Sequence, residues 1–104
     1  MTALPPVRLR PEEIAAVKRI VAEYFGPQAE VRVFGSRARL DARGGDLDLH
    51  VLVPGSAPDS AVESGAVSAI ERALHDRHTD LLVLGRAEPH RRIDEVALES
   101  GVLL

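Results

Sequence analysis

The chain has no cysteine and no tryptophan, and its 104 residues include only one tyrosine and two phenylalanines. Without cysteine there is no disulfide framework, no thiolate metal centre and no cysteine nucleophile. An aromatic content of 3% leaves too few rings for a single-strand nucleic-acid platform, where bases stack on successive side chains. Positive charge is also in short supply. Thirteen Lys+Arg face 16 Asp+Glu for a net charge of −3, so no strong nucleic-acid binding by the chain alone is expected. The longest stretch free of charged residues and histidine, residues 51–58, falls far short of the ~20 apolar residues of a membrane span. Residues 1–10 contain Pro5-Pro6 and no apolar run, so no signal peptide is expected. The expectation is one cytoplasmic domain over residues 1–104, with residues 1–10 an irregular N-terminal segment.

The remaining composition, 45% hydrophobic and 28% charged, is that of an ordinary globule. Pro11-Glu12-Glu13 starts a helix, proline at a first-turn position and two acids at the positive end of the dipole. Ile14, Val17, Val21 and Tyr24 then recur at spacings of three and four until Gly26-Pro27, which predicts a helix over residues 11–25. Val31 and Val33 alternate with Glu30 and Arg32 in a strand over 29–34. Gly35-Ser36 breaks it, and Ser36 can cap a short helix over 36–40. Residues 41–45 read as loop and 46–53 as a second strand. A second helix is expected over 60–77, with Val62, Ala66, Ala69, Ile70, Ala73 and Leu74 as its stripe. Gly65 within it costs about 1 kcal/mol relative to Ala. A strand over 80–84 follows, then a helix over 91–100 with Ile93, Val96 and Ala97 on one side. Val102-Leu103-Leu104 is expected to return to the sheet. The link over 36–45 is too brief for a crossover helix, so the first two strands should be antiparallel. The fold class is α+β (mixed α/β): a small mixed sheet of three strands or more with helices packed against it.

The chemistry concentrates in Gly35-Ser36 and, nine residues on, Asp46-Leu47-Asp48-Leu49. Strand side chains alternate, so Asp46 and Asp48 share a face about 7 Å apart while Leu47, Leu49, Val51 and Val53 face the core. Two neighbouring carboxylates repel unless a cation sits between them. Oxygen ligands of this kind suit Mg²⁺, which binds one or two carboxylates plus phosphate oxygens. Gly35 permits close backbone approach, and Ser36 offers a hydroxyl beside free N–H groups. Arg37, Arg39 and Arg43 add positive charge for phosphates. Asp80, opening the third strand, is the candidate third carboxylate to position and deprotonate an attacking hydroxyl. Two ions about 3.5–4 Å apart could then bridge the attacking and leaving oxygens. No G-x-G-x-x-G run follows the first strand, which sets aside a dinucleotide fold.

Phe34-Gly35-Ser36, the nine-residue gap and Asp46-Leu47-Asp48-Leu49 resemble the signature of the DNA polymerase beta-like nucleotidyltransferase superfamily. More narrowly, the chain is similar to a minimal nucleotidyltransferase (MNT) domain over residues 14–104. The resemblance implies the polymerase beta-like fold and the transfer of a nucleoside monophosphate, AMP from ATP first among them, onto a hydroxyl of a partner macromolecule. It implies that Gly35 and Ser36 hold the NTP; Arg37 and Arg39 are nucleotide-binding candidates by their charge and position, with solvated surface charge as the alternative. Asp46, Asp48 and Asp80 become the catalytic and metal-binding residues, holding two Mg²⁺ ions, with Mn²⁺ as the alternative metal. Family members often have serine before the first aspartate, where this chain has Gly44-Gly45. Larger relatives carry a second helical domain that 104 residues do not accommodate, so an acceptor surface from a partner is expected. Minimal members are encoded beside a small helical HEPN protein, often as toxin–antitoxin pairs. By that analogy the partners are ATP or another NTP and a HEPN-type toxin, with the chain as antitoxin. A homo-oligomer is left open.

Competing readings exist for each feature. The domain could act as a non-catalytic binding module that neutralises a partner by occlusion, or as a nucleotide sensor. His50 continues the Asp46, Asp48 row and reads first as a partly buried histidine, with a place at the border of the site as the alternative. His75, Asp76 and His78 read as the end of a helix, where a cationic imidazole suits the negative pole, rather than as a zinc site. Glu12-Glu13 and Arg91-Arg92 read as solvated faces.

Overall fold

The computed structural model describes residues 7–35 and 46–104. Helix α1 (Pro11–Phe25) has proline at its start and ends at Gly26, as its sequence pattern predicts. Glu12 is exposed, but Glu13 departs from the expected solvated face and is only 6% exposed. Its carboxylate accepts the Arg10 backbone N–H at 2.9 Å and lies 3.5 Å from the Arg77 guanidinium. A capping carboxylate that satisfies an orphan donor can be buried where a merely solvated one cannot. Val7, in the segment before α1, is itself buried and joins the core.

Strands β1 (Glu30–Phe34) and β2 (Leu47–Val53) are followed by α2 (Ser60–Ala73), β3 (Thr79–Gly85), α3 (Arg92–Ser100) and β4 (Val102–Leu103). The sheet order is β3-β2-β1-β4. β1 and β2 are antiparallel, as the short link requires. β2 and β3 are parallel, with α2 as the crossover between them. The returning C-terminal residues form β4, antiparallel to β1, and the Leu104 N–H bonds to the Val31 carbonyl at 3.0 Å. The sheet is therefore mixed and four-stranded. The expected short helix over 36–40 lies outside the described residues.

Alternation sorts the strand side chains onto two faces. Val31, Val33, Leu47, Leu49, Val51, Val53 and Val83 join Ile14, Val17, Ile20, Val21, Ile70 and Leu74 in one core. The glycine in α2 has a packing role, because a Cβ at Gly65 would stand 3.0 Å from the Tyr24 ring of α1. α2 is capped by Asp59, whose carboxylate accepts the Val62 N–H at 3.4 Å. It stops at Ala73, short of the expected residue 77. His75 and Asp76 adopt left-handed conformations (φ 57° and 62°), which turn the chain from the buried Leu74 directly into β3. His75 and Asp76 thus lie beyond the helix rather than in its last turn.

α3 lies on the opposite face of the sheet, and its inward side differs from the expected stripe. Ile93 and Val96 are 39% and 43% exposed, whereas Asp94 and Ala97 are fully buried. Asp94 goes inward because it has partners there. One oxygen lies 2.9 Å from His50 Nε2 on β2, and both accept from the Arg91 guanidinium at 2.9 and 3.0 Å. Charge-assisted hydrogen bonds from two side chains offset the desolvation of the buried carboxylate. The same bonds hold the Asp94 carboxyl well below the usual carboxylate range, the Arg91 hydrogen bond foremost. Arg91 is therefore not simply part of a solvated face.

Ile70 is fully buried and Val96 is not, so truncation should separate them. Ile70→Ala is expected to lower unfolding free energy by about 2–5 kcal/mol and Val96→Ala by less than about 1 kcal/mol, read from urea denaturation midpoints.

Candidate functional site

The parallel register sets Asp48 directly beside Asp80, while Phe34 on β1 stands on its other side. The ladder begins at Leu47 opposite Thr79, and the Leu47 N–H bonds to the His78 carbonyl at 3.0 Å. Leu47 and Thr79 are 0% and 3% exposed. Their burial turns Asp46, Asp48, His78 and Asp80 to the face away from the main core, since neighbours in a strand point to opposite sides. One ligand atom each from Asp46, His78 and Asp80 lies within 4.8 Å of the others. Asp46, His78 and Asp80 are exposed, and Asp48 is half-buried.

The electrostatics of the group follow from this crowding. The Asp48 carboxyl is pushed above its ordinary value, first by burial, then by the charges of Asp80 and Asp46 and by a hydrogen bond shared with Asp80. The nearby His78 pulls it back in part. Folding thus assembles carboxylates against their mutual repulsion, an arrangement that a divalent cation relieves. The donor set therefore fits a divalent metal with oxygen ligands.

Gly35 closes the site at the end of β1. Its φ of 71° favours glycine, and a Cβ there would fall 2.5 Å from Asp48 Oδ2. A side chain at this position would displace the carboxylate beside it. Gly35 is thus required by the turn and by Asp48 as well as offering open backbone to a ligand.

Among the candidates from the sequence, Gly35, Asp46, Asp48 and Asp80 are brought together. Ser36, Arg37 and Arg39, with Arg43 and Gly44-Gly45, lie outside the described residues. His50 shares the face of Asp48 but is fully buried and bonded to Asp94, which matches the plain buried reading. His78, read from sequence as part of a helix end, instead precedes β3. Its Nε2 lies 3.4 Å from Asp80 Oδ1 and its Nδ1 lies 3.7 Å from Glu71 Oε2. Glu71 is held in turn by the Thr79 N–H at 2.9 Å. The signal for His78 was its spacing: it stands two residues before Asp80, as Asp46 does before Asp48. The register that brings the two pairs side by side is a property of the folded sheet.

Among the described residues, no helix is long and apolar enough to cross a membrane. A family model described as a nucleotidyltransferase domain matches residues 14–103, which span α1 through β4. No curated protein matches the chain.

Two measurements test the geometry. A raised carboxyl pKa in the folded state means that stability attributable to Asp48 falls as pH climbs above the unfolded value, near 3.8. In EDTA at pH 7, Asp48→Asn should therefore melt above the parent, and the gap should narrow as pH is lowered towards 4. Gly35→Ala combines an unfavourable φ with a clash on Asp48. It should destabilise by about 1–3 kcal/mol in chemical denaturation.

Proposed function

Because the chain belongs to the nucleotidyltransferase domain family, we propose that it transfers AMP from ATP to a hydroxyl group of a partner protein. Transferase chemistry on an NTP is the common property of that family. The single observation that carries the finer reading is the carboxylate group: Asp48 and Asp80 abreast on parallel strands, with Asp46 beside them. Asp46, Asp48 and Asp80 would hold the metal, for which Mg²⁺ is the expected ion. Divalent ions, when bound, supply positive charge for the triphosphate and for the departing pyrophosphate.

The remaining work falls to the chain. The acceptor oxygen forms a bond to the α-phosphorus, and the bond from that phosphorus to the α,β-bridging oxygen breaks, releasing pyrophosphate. Asp80, 58% exposed along its side chain, is open to the acceptor; it orients the hydroxyl and takes up its proton. Gly35 keeps the backbone at the end of β1 open to the triphosphate. Ser36 would offer a hydroxyl, and Arg37 and Arg39 positive charge, to the phosphates.

Asp46 and Asp80 are exposed, so a bulky acceptor can reach them. This favours a macromolecular acceptor, and the resemblance to minimal nucleotidyltransferases makes a small helical HEPN-type toxin the first candidate, with this chain as antitoxin. Occlusion of the partner without chemistry is the competing reading.

ATP labelled on its α-phosphate, incubated with Mg²⁺, the domain and a small helical HEPN-type protein, should leave label on that protein. Asp48→Asn should reduce labelling at least about 100-fold, more than loss of an outer-shell partner alone. Absence of label with the parent domain would overturn the transfer. Unchanged neutralisation of the partner by the Asp46→Ala, Asp48→Ala double variant would establish occlusion instead.

A further inference from the structure

We infer that His78 is a nitrogen ligand of one ion at this site, and that it makes the site favour a first-row transition dication such as Mn²⁺ over Mg²⁺. The inference rests on reading the carboxylate group as a metal site and adds the choice of metal. Extending the β2–β3 register by one residue beyond Leu47 and Thr79 places Asp46 opposite His78. The ligand atoms of Asp46, His78 and Asp80 lie within 4.8 Å of one another. An ion about 2.1 Å from each of its ligands holds them no more than about 4.2 Å apart, so small rotations suffice. All three residues are exposed, which leaves their side chains free to make those rotations.

The histidine is also oriented for the task. Metal-bound imidazoles characteristically turn their second ring nitrogen to a carboxylate or carbonyl. Here Nδ1 faces Glu71 Oε2 at 3.7 Å, while Nε2 faces Asp80 at 3.4 Å. Glu71 is anchored from the other side, since the same Oε2 accepts the Thr79 N–H at 2.9 Å. A small ring rotation would bring Nδ1 within hydrogen-bond distance of Glu71, and a proton held there would leave the Nε2 lone pair on the side of Asp80. Imidazole nitrogen suits transition ions, whereas Mg²⁺ takes oxygen ligands and retains its water. An Asp-Asp-His set therefore discriminates between the two ions where three carboxylates would do so less.

The test is calorimetric titration of the nucleotide-free domain with MnCl₂ or MgCl₂ alone, for the parent, His78→Ala, His78→Gln and Glu71→Gln. Thermal melting in EDTA verifies that each variant is folded. The parent should bind Mn²⁺ at least about 10-fold more tightly than Mg²⁺, and either His78 variant should lose about 10-fold in Mn²⁺ affinity with Mg²⁺ changed by less than about two-fold. Glu71→Gln keeps an acceptor for Thr79 but removes the charge behind the imidazole, and should weaken Mn²⁺ by a smaller factor. An unchanged Mn²⁺-to-Mg²⁺ ratio in folded His78 variants would overturn the inference and leave the metal-dependent transferase reading standing. Failure of the parent to bind Mn²⁺ would overturn the inference as well, whereas the transferase reading stands or falls on the labelling, where nucleotide phosphates complete the metal site.

Discussion

Everything at the candidate site depends on the parallel pairing of β2 with β3. A parallel pair matches residues at the same point along two strands, and α2 is the crossover that this direction requires. Asp48 meets Asp80 because Leu47 meets Thr79, and both of those residues are buried. A slip of one residue would turn the carboxylates into the apolar core and the leucines outward. The hydrophobic side of the sheet therefore holds the charged side in place, against a repulsion that His78 relieves only in part.

The opposite end of the same face is organised differently. There the row begun by Asp48 continues to His50, which is covered by α3 and matched to Asp94, itself held by Arg91. One sheet face thus carries two polar groups of contrasting character. The Asp94 carboxylate is surrounded by donors, and its charge is stabilised. The Asp48 carboxylate is surrounded mainly by other acids, and its charge is opposed. A satisfied network fixes a helix in position, whereas an unrelieved one invites a ligand. That contrast locates the site on the open part of the face rather than beneath α3.

Much of this was legible along the chain. The period of Ile14, Val17 and Val21, bracketed by Pro11 and Gly26, defines α1, and the alternation of Val31 with Val33 and of Leu47 with Leu49 defines two strands. The brevity of the link between those strands sets their antiparallel direction. Gly35-Ser36 and Asp46-Leu47-Asp48 could be singled out because their spacing is local. Less visible was the inward turn of Asp94. Periodicity selects the apolar Ile93 and Val96 for the core, yet Asp94 turns inward, where the buried His50 and the half-exposed Arg91 supply its hydrogen bonds. Glu13 is buried for the same reason, as a cap for Arg10 and a partner of Arg77.

Local order in the residues determined where the helices and strands lie, which sides of them are apolar, and which short stretch holds acids beside a glycine turn. Helical and extended periods act over a few residues, so they are written into neighbouring positions. What only the folded sheet decided is that His78 stands across from Asp46, that Glu71 backs His78, and that Asp94 reaches His50. The first and last of those pairings join residues far apart in the chain, and the second joins α2 to the residue before β3. They are set by strand register and by the placement of α3, quantities that depend on the packing of the whole domain.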